Sequence, residues 1–359
     1  MSNLVTAWFR RRFSEPQTVT LAVALLVGFG IVFLFGGMLA PVIASVVLAY
    51  LLEGVVGWFQ RRGAPRLLVI LLVLAAFTAF LAFLLLGLVP LVWVQITDLL
   101  RQLPTYIAEG QKALLELPAQ YAFLSESQIR ELIDAARTEI TGLGQRVLSL
   151  SLSSVLGIIT LVVYLVLVPV LIFFFLKDKR TLVDWFVGLL PEDHGLLARI
   201  WGEMDQQIGN YIRGKFWEIL IVAVVSWAVF SLLGLEYALL MGVLVGVSVL
   251  IPYIGAAVVT IPVAVAGYIQ WGWGADLAWL VIIYLVIQAL DGNVLVPWLF
   301  SEVVDLHPVA IIVAVLVFGG LWGFWGIFFA IPLATLVNAI LRAWPETGPA
   351  ETGEIAKTD

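Results

Sequence analysis

The residues of this chain best suited to chemistry are carboxylates set in a stretch with no fixed positive charge. All 19 Lys and Arg residues lie outside Phe216–Leu341, yet those 126 residues hold Glu218, Glu236, Asp276, Asp291, Glu302 and Asp305. A carboxylate at the centre of a bilayer costs a few kcal/mol, so such groups belong in a polar cavity, at an interface or against a partner. Asp291 has no basic residue near it in sequence. In Gln288-Ala289-Leu290-Asp291-Gly292-Asn293 it can bind a monovalent cation or exchange a proton, with Gln288 and Asn293 offering amide ligands to the same solute. The structural alternative is that Asp291 and Asn293 cap helix ends at the membrane interface. Glu302, Asp305 and His307 come next in the chain. His307 titrates near neutrality and can handle protons, or it simply opens a helix ahead of Pro308. Glu218 is a second carrier candidate, with interfacial placement as its alternative and that of Glu236; Glu53 is a weaker candidate.

The elements that must position these groups are short and broken. From Phe216 the apolar runs are 219–235, 237–251, 256–270, 277–290, 308–321 and 326–341. Several fall below the roughly 20 residues a full crossing needs, which points to re-entrant or broken helices lining a cavity. Two Gly/Pro elements look alike: Gly255 to Ala264 around Pro262, and Gly326 to Ala334 around Pro332. Paired interruptions of this kind mark the binding region between transporter repeats; the alternative is a chance likeness between two Gly/Pro-rich membrane segments. Pro252, Tyr253, Gly319 and Gly320 are further hinge candidates. Trp271, Trp273, Trp279, Trp298, Trp322 and Trp325 lie near predicted span ends and read as interfacial anchors.

The remainder of the chain is equally apolar. Hydrophobic residues make up 62%, charged residues 12%, and mean hydropathy is +1.07. Soluble domains use about 25% charged residues, so this is an all-α, polytopic membrane protein. Cysteine is absent, which excludes disulfides and thiolate chemistry. Uncharged runs at Pro16–Leu52, Leu67–Thr97 and Val147–Leu176 predict the first spans. Arg10, Arg11 and Arg12 before the first run suggest an uncleaved anchor rather than a signal peptide, because the apolar sequence continues. Gly36-Gly37 and Pro41 predict a tight break, giving helices at about 18–36 and 38–56. Both arginine clusters, 10–12 and 61–66, then face the cytoplasm.

The organisation expected is three spans within 1–94, an outer segment at 95–150, a fourth span at 151–176 and a cytoplasmic segment at 177–215. A transport region at 216–342 and a disordered cytoplasmic tail at 343–359 complete it. In the outer segment, apolar residues from Ile129 to Val147 recur at helical spacing behind a Ser125/Gln128 capping box. They predict an amphipathic helix on the membrane or on a neighbouring subunit, with a solute-binding role as the alternative. Both termini are cytoplasmic in this scheme, with 14 basic residues inside and 5 outside accounting for all 19.

Several motifs together resemble the autoinducer-2 exporter family of permease-like proteins. They are Tyr211-Ile212-Arg213-Gly214, Pro252-Tyr253-Ile254-Gly255, Gln288 with Asp291-Gly292-Asn293 and Pro297, Leu306-His307-Pro308, and the Gly319–Gly326 turn ending in Ala330-Ile331-Pro332-Leu333-Ala334. The close match covers about 140 residues and the layout nearly the whole chain. The resemblance implies about eight transmembrane helices, a homo-oligomer and the inner membrane. It also implies export of autoinducer-2 or sodium(lithium)/proton antiport. The sequence departs from the family at Lys215, where Gln is frequent, at Trp298, where a basic residue is, and at Asp305, where Gly is. The last two make the region more acidic and favour cation coupling.

A secondary transporter is the leading reading, acting on a small polar solute or on a monovalent cation and a proton, within a lipid bilayer. No phosphate-binding loop is present and no cofactor, metal or nucleic acid is expected. A passive oligomeric channel or a non-transporting scaffold are the alternatives. An enzyme is not expected, since His-Glu-x-x-His and nucleophile-elbow patterns are absent.

Overall fold

The computed structural model describes residues 16–116, 142, 155–189, 195–300 and 306–343, and every regular element among them is helical. In chain order these are α1 (Pro16–Gln60), α2 (Arg66–Phe83), α3 (Val89–Glu116), α4 (Val155–Lys177), α5 (Lys179–Val187) and α6 (Gly195–Leu232). They continue as α7 (Ala238–Ser248), α8 (Ile254–Trp271), α9 (Ala275–Leu290), α10 (Val296–Phe300), α11 (Pro308–Phe328) and α12 (Ala330–Ala343). Single π-helical turns, Leu84–Leu88 and Asp291–Leu295, join α2 to α3 and α9 to α10.

Six helical stretches among the described residues are long and apolar enough to cross a membrane: Phe33–Gln60, Arg66–Gln102, Ile200–Leu232, Ile254–Trp271, Ala275–Phe300 and Pro308–Phe328. Shorter apolar helices, including Ala238–Ser248, accompany them. Hydrocarbon offers no partner for backbone N–H and C=O groups, so a chain of this composition satisfies them within helices. Large side chains stay uncovered by protein, as at Leu86 (80% exposed) and Leu232 (88%). In a bilayer that surface meets lipid.

The helices sort into two compact units. One comprises Ala44–Lys177 and Lys215–Leu299 and holds two apolar cores. In the first core Ala49, Leu52 and Val56 of α1 meet Val69, Ile70 and Val73 of α2 and Val168, Ile172 and Leu176 of α4. The three- and four-residue spacings place each set on one helix face. Arg66 fastens the end of this core, donating to the Leu176 carbonyl at 2.6 Å and pairing with Glu53 at 3.3 Å. The second core gathers Val222 and Phe230 of α6, Met241 and Val245 of α7, Val259 and Val263 of α8, and Leu280 and Tyr284 of α9. In the other unit, Met1–Ile43, Asp178–Gly214 and Phe300–Asp359, Ile200 and Met204 of α6 pack with Leu336 and Ile340 of α12.

The structure differs from the sequence-based segmentation in where its helices break. The break expected at Gly36-Gly37 and Pro41 does not occur, because α1 is one 45-residue helix with Pro41 inside it. Proline breaks helices in water by about 3 kcal/mol, but lipid offers the freed carbonyl nothing better than the helix. An unbroken helix has no hairpin, so the shared sidedness assigned to arginines 10–12 and 61–66 loses its basis. The helix of the third span continues past 94, to Glu116. The boundary at 215/216 lies within α6, one residue from the division between the two compact units at Gly214/Lys215. The interruption expected around Pro262 lies earlier, because α8 runs from Ile254 to Trp271 with Pro262 in its interior. Apart from Gly142, the amphipathic helix expected over 129–147, its capping box and the tail after 343 fall outside the described residues.

Candidate functional site

Lys215 and Glu218 stand three residues apart on α6, at the start of its apolar stretch, and so share one helix face. Both are buried, at 3% and 2% exposure. Lys215 Nζ lies 2.7 Å from Glu218 Oε2 and donates at 2.8 Å to the carbonyl of Val249. That carbonyl is delivered by the close approach of α7 to α6. Gly242 and Gly246 form a small-xxx-small stripe on α7. A Cβ on Gly242 would come within 2.7 Å of the Trp227 backbone, and one on Gly246 would meet Ala223 and lie 2.8 Å from the Ile219 carbonyl. The backbones touch because the side chains are missing.

Asp291 approaches the same centre from α9. It interacts electrostatically with both Lys215 and Glu218. Gln288 precedes it by three residues and Tyr284 by seven, so the three form one stripe. Among the described residues, the buried Asp291 Oδ1 and Gln288 Nε2 have no hydrogen-bond partner. An unsatisfied acceptor and donor one helical turn apart inside a membrane protein are costly, and such groups mark sites. Asp291 also opens the π-helical turn, a local widening frequent at functional positions.

The reversal between α7 and α8 follows Val249, whose carbonyl accepts from Lys215. Ile254 N–H donates to the Pro252 carbonyl at 2.7 Å around Tyr253, whose φ of 61° and ψ of −49° make a γ-turn of the rare positive-φ kind. Tyr253 is the only non-glycine residue with positive φ among the described residues. Gly255 lies just beyond, where any Cβ would collide with the Ser248 carbonyl. One turn on, the Tyr284 hydroxyl donates to the Ala256 carbonyl at 2.8 Å and meets Thr260 Oγ1 at 3.3 Å.

Of the acids and amides singled out from sequence, Asp291, Gln288 and Glu218 come together. Asn293 does not join them: its amide donates to Ala289 O at 2.8 Å and is exposed. His307 caps α11, with Nδ1 accepting from Val309 N–H at 3.3 Å. Glu53 pairs with Arg66. Glu302 and Asp305 fall outside the described residues. Tyr211, Arg213 and Gly214 serve the other unit. The fully buried Tyr211 donates to the Phe328 carbonyl at 2.8 Å, at the end of α11, and packs on Phe300 and Phe328. Arg213 binds Asn210 at 2.8 Å, and Gly214 makes room for the Phe300 ring.

Within α11, Gly323 turns to φ 57°, Gly326 lies against the Phe318 carbonyl where a Cβ would collide, and Gly319 accommodates Ile327. Gly320 has open space beside it, and Pro332 sits in the first turn of α12. Trp273 and Trp298 are exposed as anchors would be, but Trp322 stacks on Phe318 and contacts Phe29.

The chain matches the profile of the AI-2E family transporters over residues 20–346. It belongs to that family. It is 46% identical over 347 residues to the PerM permease of Escherichia coli (strain K12), covering 96% of this chain and 98% of that protein. Two Bacillus subtilis (strain 168) transport proteins are more distant. YueF is 27% identical over 308 residues, covering 83% of this chain and 82% of its own, and YrrI 28% over 302, covering 84% and 85%. The chain is therefore a multi-pass membrane transport protein and not an enzyme.

Lys215 is the site residue that sequence reasoning missed. The cation-free stretch begins at Phe216, one position too late to include the partner that Asp291 lacks in sequence. The i, i+3 relation of Lys215 to Glu218 was the available signal. The Gly242-Val-Leu-Val-Gly246 stripe was a second, readable as a helix contact.

Proposed function

We propose that this family member is a secondary transporter of the inner membrane whose coupling charge is handled at the Lys215–Glu218–Asp291 centre. The leading form is exchange of sodium or lithium for protons. The observation that supports it is the buried ion pair with a second carboxylate beside it, whose Oδ1 has no hydrogen-bond partner. One lysine facing two ionised carboxylates leaves one negative charge in excess. A proton or a monovalent cation discharges it, and movement between faces of a bilayer is far cheaper for the neutral centre.

Export of a small polar solute, autoinducer-2-like, is the second reading. Gln288 Nε2 favours it, because a bare cation satisfies Asp291 but leaves this donor without an acceptor, whereas a hydroxyl serves both. The family resemblance supports a homo-oligomer.

Purified protein in liposomes carrying an entrapped pH dye separates the readings. Exchange gives sodium- or lithium-driven proton movement that Asp291→Asn abolishes while the protein stays monodisperse. Unchanged exchange in Asp291→Asn removes the centre from the mechanism. Saturable solute efflux without cation-driven proton movement selects the second reading, and ohmic single-channel current selects a pore.

A further inference from the structure

Two carboxylates share one lysine in the interior of this unit, and the charge balance of that trio bears on coupling. The groups acting electrostatically on Glu218 are Lys215 and Asp291, and the one acting on Asp291 is Lys215. Uncharged polar groups accompany them: the Val249 carbonyl, which accepts from Lys215, Gln288 one turn before Asp291, and the Tyr284 hydroxyl on the same helix face, held by Ala256 and Thr260. The lysine stands at the entrance of neither carboxylate alone. It is bonded to Glu218 at 2.7 Å and fixed from its far side by a backbone carbonyl at 2.8 Å.

We propose that Lys215 is a tethered counter-ion that sets how many positive charges this centre exchanges. Resting on the exchange reading above, the centre takes up one monovalent charge per cycle because Lys215 permanently supplies the other. The exchanged charge belongs to the trio as a whole. Asp291 acts electrostatically on Glu218, and in coupled carboxylates titration belongs to the group rather than to either residue alone. The count is therefore set by formal charge. The unmodified trio stands at minus one, Glu218→Gln and Asp291→Asn bring it to zero, Lys215→Gln to minus two, and Lys215→Gln with Glu218→Gln back to minus one.

The test uses the purified full chain in weakly buffered detergent, with a pH dye reporting protons released when saturating NaCl or LiCl is added and choline chloride as the control. About one proton per chain is expected from the unmodified protein, about two from Lys215→Gln, and about none from Asp291→Asn or Glu218→Gln. The Lys215→Gln/Glu218→Gln protein is expected to recover about one. Should Lys215→Gln alone fail to fold, the step from Glu218→Gln to the double variant still decides, because adding a second substitution must restore release. Release that is the same with and without Lys215, or a double variant as silent as Glu218→Gln, overturns the counter-ion role while leaving exchange intact. No release from the unmodified protein with either cation sinks the exchange reading and this inference with it.

Discussion

Replacing Lys215 by Met isolates what the buried ion pair contributes to stability. Methionine keeps the length of the side chain but removes the charge, leaving Glu218 at 2% exposure opposite an apolar group. At 2.7 Å the Coulomb attraction is about 6 kcal/mol at an effective dielectric of about 20. The charge-assisted bond to Val249 O adds about 2 kcal/mol. Desolvation of both ions offsets most of this gross gain, and removing one partner of such a pair typically costs about 3–5 kcal/mol. The double change Lys215→Met/Glu218→Leu removes the desolvation penalty together with the attraction. It is expected to regain all but about 1 kcal/mol, the remainder being the orphaned Val249 carbonyl. Reversible unfolding in mixed micelles gives both numbers. The reasoning is refuted if Lys215→Met loses less than about 1 kcal/mol, or if the two substitutions are additive in the destabilising direction.

Two other substitutions probe the scaffold that holds the centre. Gly246→Val drives a side chain into Ala223 and the Ile219 carbonyl, so it should destabilise by about 1–3 kcal/mol and weaken cation-driven proton movement; full activity would show that α7 can move off α6 freely. Tyr253→Gly relieves the positive φ at a residue that is 57% exposed, so little packing is lost. Strain of about 1–3 kcal/mol set against about 1 kcal/mol of glycine entropy gives a gain of up to about 2 kcal/mol, read as a higher unfolding midpoint. A lower midpoint would mean the turn is not strained.

How much of this was legible depended on whether the relevant relation was local. Helical class and membrane residence come from composition, and Gln288 with Asp291 from a three-residue spacing. The ion pair was equally local, but Lys215 sits at the edge of the apolar run, where a charge reads as interfacial. Its association with Asp291 is a tertiary event that no spacing encodes. The false break in α1 came from carrying water-based rules for Gly36-Gly37 and Pro41 into a solvent that gives a broken helix no alternative bonds. Pro262 inside α8 repeats the lesson. The γ-turn at Tyr253 was partly visible through Pro252, but not its sign of φ, because tyrosine carries no preference for that region.

Two reversals in the C-terminal half solve one steric problem in the same way. Ahead of α8, Tyr253 takes positive φ and Gly255 lies against the Ser248 carbonyl; within α11, Gly323 takes positive φ and Gly326 lies against the Phe318 carbonyl. In each, the glycine lets the returning helix approach the last carbonyls of the one before it, closer than any side chain allows. The likeness between Gly255–Ala264 and Gly326–Ala334 therefore belongs to the glycines, which make the contact, and not to the prolines, which fall at different depths in their helices. The two reversals differ in the groups their outgoing helices present. Beyond Gly255 the chain supplies Ala256 and Thr260 to the Tyr284 hydroxyl, on the same helix as Gln288 and Asp291. Beyond Gly326 it supplies the Phe328 carbonyl to Tyr211. The same backbone device thus serves a charged, incompletely bonded centre in one unit and a fully bonded aromatic anchor in the other.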